Sequence, residues 1–127
     1  MFSIDRIDHI VLTVADLAAS GAFYERVLGM ETRREPGRPT AVHFGRQKIN
    51  LHQAGRTFEP KALAPTPGSG DLCLITEQPI EVVIAHLRAE EVAIELGPVD
   101  RTGAAGPITS VYFRDPDGNL IEVSRYR

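Results

Sequence analysis

Cysteine is almost missing from this chain: Cys73 is the only one. A single thiol cannot close an internal disulfide, so a reducing, cytoplasmic setting is expected. Long apolar runs are missing too. None approaches the roughly 20 residues that a bilayer-spanning helix needs, so no membrane partner is expected. Met1 to Arg6 has neither a basic start nor a long apolar stretch, so no secretory leader is expected there. There is no excess of positive charge. The formal net charge is -3, which excludes a general phosphate-backbone binder, and no nucleic-acid partner is expected. What the chain does have is 43% apolar and 24% charged residues over 127 positions. That is enough for one compact domain, or for two small modules.

The pattern favours two modules. His9-Ile10-Val11-Leu12-Thr13-Val14 and Asp71-Leu72-Cys73-Leu74-Ile75-Thr76 are both short β-rich runs opened by a polar residue. Each leads into a helix signal. Asp16 is an N-cap for Leu17 to Leu28, with Gly29 as the stop. Pro79 suits the start of a helix from Ile80 to Glu91. Three strands are expected after each helix. In the first half these are Met30–Arg34, Ala41–Phe44 and Lys48–Gln53, the last two forming a hairpin around Gly45-Arg46. In the second half they are Ala93–Gly97, Ser110–Arg114 and Asn119–Arg125, with Asp115-Pro116-Asp117-Gly118 as a turn. The fold class is therefore α+β, made of paired β-α-β-β-β modules. Module one spans 5–54, a linker 55–69, and module two 70–126. Ala54–Gly70 and Pro98–Pro107 read as loops.

Strand parity places candidate site residues. Side chains alternate across a strand. Ile10, Leu12, Val14, Ile49, Leu51, Leu72, Leu74, Ile121 and Val123 form the rows for helices to cover. His9, His52, Asp71 and Glu122 fall on the opposite rows, at positions read as equivalent in the two halves. The longer separation of His52 from Glu122 is assigned to an extra loop at Pro98–Pro107. Two imidazoles and two carboxylates suit one divalent cation (Zn, Ni, Mn or Fe) with a coordination position left open for catalysis. Lys48, Asn50, Tyr112 and Arg114 share those rows by parity. Together with Arg101 on its loop, they are the substrate-contact candidates. His43, just before the hairpin turn, is left outside the metal set. Cys73 is read as a small buried hydrophobe rather than a nucleophile.

Asp8-His9-Ile10-Val11-Leu12-Thr13-Val14, Phe23-Tyr24, Val27-Leu28-Gly29-Met30 and Asp115-Pro116-Asp117-Gly118-Asn119-Leu120-Ile121-Glu122-Val123 resemble the glyoxalase / bleomycin-resistance / ring-cleaving dioxygenase superfamily, the vicinal oxygen chelate group. Lys48-Ile49-Asn50-Leu51-His52, Phe58-Glu59-Pro60-Lys61-Ala62 and Arg101-Thr102-Gly103-Ala104-Ala105-Gly106-Pro107-Ile108 are similar to glyoxalase-domain-containing proteins in particular. The resemblance implies an open, incomplete barrel around a metal, with His9 and Glu122 as first and last ligands. This chain departs from the family at Asp71, where a His is usual; Asp71 would ligate through oxygen or orient another group. Three functions follow as expectations. The first is a glyoxalase I-like lyase or isomerase that chelates a small oxygenated substrate, with Glu122 as catalytic base. The second is a non-haem iron dioxygenase built on His9, His52 and Glu122. The third is a metal-free antibiotic or small-molecule binding protein. A homodimer is expected, because open half-barrels leave sheet edges to cover.

Overall fold

The computed structural model describes all residues, 1–127, and divides into two compact units, Met1–Pro67 and Gly68–Arg127. The first holds β1 (His9–Val14), α1 (Leu17–Leu28), β2 (Glu31–Arg33), β3 (Thr40–Phe44) and β4 (Gln47–Gln53). The second holds β5 (Asp71–Ile75), α2 (Ile80–Ala89), β6 (Leu96–Gly103), β7 (Gly106–Arg114) and β8 (Leu120–Tyr126). Each unit is thus β-α-β-β-β, as expected from the repeat. Each has one four-stranded mixed sheet, ordered β1-β4-β3-β2 in the first and β5-β8-β7-β6 in the second. No helix is long and apolar enough to cross a membrane.

In the first unit, α1 is closed at both ends by the residues the sequence suggested. The Asp16 carboxylate accepts from the Ala19 amide at 3.0 Å. Gly29 takes the left-handed conformation at φ 65, which lets its N–H reach the Glu25 carbonyl at 3.0 Å. Gln53, at the end of β4, completes the helix start. It accepts from the Leu17 amide at 3.0 Å and donates to the Ala15 carbonyl at 2.6 Å. The helix buries Phe23, Tyr24 and Val27 in a core with Leu12, Val14, Val42, Ile49 and Leu51. Burying a side chain of this size contributes about 1.5–3 kcal/mol.

The second unit has the same plan, with Leu87, Val111, Phe113, Ile121 and Val123 buried. α2 starts at Pro79 with no side-chain cap. The Asp115–Gly118 turn is held from inside. Asp115 Oδ1 accepts from the amides of Asp117 and Asn119, each at 2.9 Å, and Asn119 Nδ2 donates to Asp115 Oδ2 at 2.8 Å. Asn119 Oδ1 also accepts from the Gly70 amide at 2.6 Å. The turn and the entry to β5 are therefore tied together by one buried amide.

Two expectations are corrected here. Pro98–Pro107 is not a loop: it forms most of a hairpin in which β6 pairs with β7, Gly103 standing opposite Gly106. The turn is only Ala104-Ala105, and Gly106 has φ 143, a conformation open to glycine. The strand expected at Ala93–Gly97 instead begins at Leu96. Pro98 sits where the register shifts between Leu96 and Val99, a bulge position where a missing N–H costs no ladder bond. The extra residues of the second half therefore lengthen strands rather than a loop.

Candidate functional site

Ladder registers settle which side chains share a face within each unit. In the first, His9 stands opposite Lys48, Val11 opposite Asn50 and Thr13 opposite His52. His9 and His52 do share a face, but four residues apart along the strands, about 13 Å at 3.3 Å per residue. The register does not bring these two imidazoles together. In the second unit, Cys73 stands opposite Glu122 and Asp71 opposite Leu120, while Tyr112 flanks Glu122 from β7. Asp71 is therefore one diagonal step from Glu122. With His9 and Asp71 as the first residues of matching strands, the position equivalent to Glu122 is Asn50, and His52 matches Ser124. The expected equivalence of His52 with Glu122 is displaced by two residues. That shift keeps every side chain on its face, so parity alone could not detect it. Neither unit by itself groups three His, Cys, Asp or Glu side chains around one point.

Several of these donors have a built environment. His9 Nδ1 lies 2.8 Å from Asp8 Oδ1. A carboxylate only accepts, so Nδ1 carries the proton and Nε2 keeps its lone pair in the neutral ring. The hydrogen bond from His9 holds the Asp8 carboxyl below its usual range. His52 is buried, its ring centroid 5.4 Å from that of Phe58. Its Nδ1 is buried with no partner, as is Oδ1 of Asn50. Burial alone pushes the His52 imidazole below its usual value.

On the second unit, Glu122 is gripped at one oxygen. Ser110 Oγ donates to Oε2 at 2.6 Å and Ser124 Oγ approaches the same atom at 3.1 Å. The two hydroxyls are 2.6 Å apart, and Cys73 Sγ is 3.3 Å from Ser124 Oγ. Cys73 is exposed, not the buried hydrophobe expected from the sequence, because the second-unit strand face it shares with Asp71 and Ile75 is itself exposed. Partial desolvation still raises its thiol, which stays protonated as a hydrogen-bonding group. Arg101 Nε donates to the Tyr112 hydroxyl at 2.9 Å and lies over its ring at 5.5 Å. Arg114 makes a two-pronged pair with Glu95, 2.9 Å at each prong, and donates to the Gly118 carbonyl at 3.1 Å. Its guanidinium is thus committed to structure. Sequence reasoning missed Ser110, Ser124, Asp8 and Phe58. The serines were findable from parity, because Ser124 lies two residues beyond Glu122 and Ser110 two before Tyr112.

Each unit offers donors of a type that divalent ions accept: in the first the imidazoles of His9 and His52, in the second the carboxylates of Asp71 and Glu122. The comparisons with known proteins agree with this class of fold. Residues 6–123 match the Glyoxalase/Bleomycin resistance protein/Dioxygenase superfamily, and the chain belongs to that superfamily. It is 55% identical over 123 residues to virulence protein STM3117 of Salmonella typhimurium, covering 97% of this chain and 85% of that protein. The crystal structure of that protein superposes with a TM-score of 0.97 over 99% of this chain and 100% of its own. A glyoxalase domain-containing protein, RDO1 of Mycosarcoma maydis, is 49% identical over 98% of this chain and 70% of its own. Lactoylglutathione lyase from Agrobacterium tumefaciens has 26% identity and a TM-score of 0.74 over 97% and 95% of the two chains.

Proposed function

We propose that this chain is a divalent-metal-dependent lyase or isomerase of the glyoxalase I type, acting on a small oxygenated substrate. The observation that supports it most is the Glu122 carboxylate, pinned at Oε2 by the Ser110 and Ser124 hydroxyls. A carboxylate so oriented is fit to ligate or to move a proton, and a solvated surface glutamate is not. The donors proposed for the divalent ion are His9, through Nε2, in the first unit, and Glu122 with Asp71 in the second, each unit taken by itself. His52, displaced along the ladder from His9, fits a substrate-facing role better than a place beside it. The chemistry such an ion supplies when bound is Lewis-acid stabilisation of negative charge on substrate oxygens.

The chain's own groups do the rest. Asp8 fixes the His9 tautomer. Tyr112 accepts a hydrogen bond from Arg101, which leaves its own O–H free to donate to a substrate oxygen. Glu122 takes a proton from the substrate carbon and returns it at the neighbouring carbon, while the serine bonds keep its orientation through both transfers. Metal content of the purified protein, wild type against His9→Ala and Glu122→Gln, tests the reading. About one ion per chain, lost in both variants, is expected, together with turnover of the methylglyoxal–glutathione hemithioacetal or a related adduct. A wild-type protein that takes up no divalent ion overturns it. Oxygen uptake with catechols in place of isomerisation would transfer the site to dioxygenase chemistry.

A further inference from the structure

A cavity of about 300 Å³ opens within the first unit, lined by Arg33, Glu35, Arg38, Ala41, His43 and Lys48 among others. Its lining is at odds with the rest of the molecule. The whole chain carries a formal charge of -3, yet here three cations face the single carboxylate of Glu35. Two of the cations are partly neutralised: Arg33 Nε is 2.9 Å from Glu31 Oε1, and Arg38 Nη1 is 2.9 Å from Glu35 Oε2. Each guanidinium has five N–H donors, so most remain available. Lys48 has no ion pair. After burial, the Arg33 and Lys48 charges are what hold the His43 imidazole below its usual value, against the opposing pull of Glu31 and Glu35. The positive field therefore reaches inside the cavity.

The cavity also has a polar neighbour. Ala41 stands opposite Asn50, on the face that carries Lys48 and His9. Asn50 is only 8% exposed, and its Oδ1 has no hydrogen-bond partner. A buried acceptor left unfilled is costly by about 1–3 kcal/mol, a cost that a ligand donor reaching it would relieve.

We propose that this pocket holds the carboxylate of a hydroxy-acid substrate, with Lys48 and the free donors of Arg33 and Arg38 on the carboxylate and Asn50 Oδ1 accepting from the hydroxyl. The assignment rests on the reading of the β1–β4 face as the substrate face, and it adds the charge and class of the substrate. A charge-assisted contact from an unpaired lysine is of the strong kind. Its removal is expected to weaken binding by about tenfold or more.

The test is a titration of full-length, EDTA-treated protein followed by two-dimensional amide NMR, with glycerate as probe and its neutral amide, glyceramide, as control. Saturable shifts confined to β3, β4 and the 33–39 segment are expected with glycerate and not with glyceramide. Lys48→Met should weaken glycerate binding about tenfold, and Arg38→Gln, on the exposed turn, about two- to fivefold. A preserved peak pattern elsewhere shows that each variant is folded. Equal binding of acid and amide, undiminished binding by Lys48→Met, or no saturable shift with glycerate overturns the pocket. Because the titration is free of metal, it fails or succeeds independently of the metal content measured above.

Discussion

In the first unit the polar face of the sheet carries imidazoles, an amide and cations; in the second, the matching face carries carboxylates, hydroxyls and a thiol. Strand order and helix placement are the same in both. The difference lies in the side chains that the common backbone holds out, and in strand length. β2 and β3 have 3 and 5 residues, whereas β6 and β7 have 8 and 9. The short pair leaves room for the 34–39 turn, with Glu35 and Arg38, to line the cationic cavity. The long pair instead places Arg101 against Tyr112. The proposed roles divide along the same line, nitrogen ligation and anion binding on one frame, oxygen ligation and proton transfer on the other.

The parity of the two cores can be broken most forcefully. Tyr24 and Phe113 are both fully buried, one in each unit. Tyr24→Ala and Phe113→Ala should each cost about 3–5 kcal/mol in urea denaturation. A loss confined to one of the two would show that the halves do not contribute equally. A smaller effect compares the groups that orient each unit's donor. Asp8→Asn, acting on His9, and Ser110→Ala, acting on Glu122, should each lower the affinity for a divalent ion by about 10–100-fold in a competition with a chelating dye. An effect of Ser110→Ala alone would shift the weight of the site to the second unit.

The helix starts offer a third contrast. Asp16→Ala removes a side-chain cap and should cost about 1 kcal/mol. Pro79→Ala removes none and should stay within about 0.5 kcal/mol, both read from chemical denaturation. The smallest effect is a pH dependence seated in the first unit. Burial lowers His52 below the usual imidazole value of 6.5, and burial with the Arg33 and Lys48 charges lowers His43. The folded chain therefore keeps both rings neutral where the unfolded chain already binds protons. The stability they contribute is full above pH 6.5 and is lost as pH falls through that value and the lowered folded ones. The urea midpoint should fall between pH 8 and pH 5.5, and less so in a His43→Gln, His52→Gln double variant.

Much of the frame was legible because local rules agree with one another here. Asp16 and Gly29 bound α1 where a cap and a stop are expected, and the aliphatic rows of Ile49, Leu51, Ile121 and Val123 are buried as alternation requires. The β6–β7 hairpin was misread because glycine, proline and threonine are loop formers on average. Here Pro98 occupies a bulge and the glycines flank a two-residue turn. The Asp115–Asn119 network was hidden behind an ordinary turn motif, since nothing local announces that Asn119 will reach back to Gly70.

Sequence alone determined the two-module plan and the face on which each polar side chain stands, because both follow from periodicities of the backbone itself. Only the tertiary structure decided which residues stand opposite one another. Register depends on strand ends, turns and bulges, and a two-residue slide leaves every alternation pattern intact. That slide sets Asn50, not His52, in the place that matches Glu122. The β1–β4 register separates His52 from His9, and the pairing of β2, β3 and β4 brings Arg33 and Lys48 to one face.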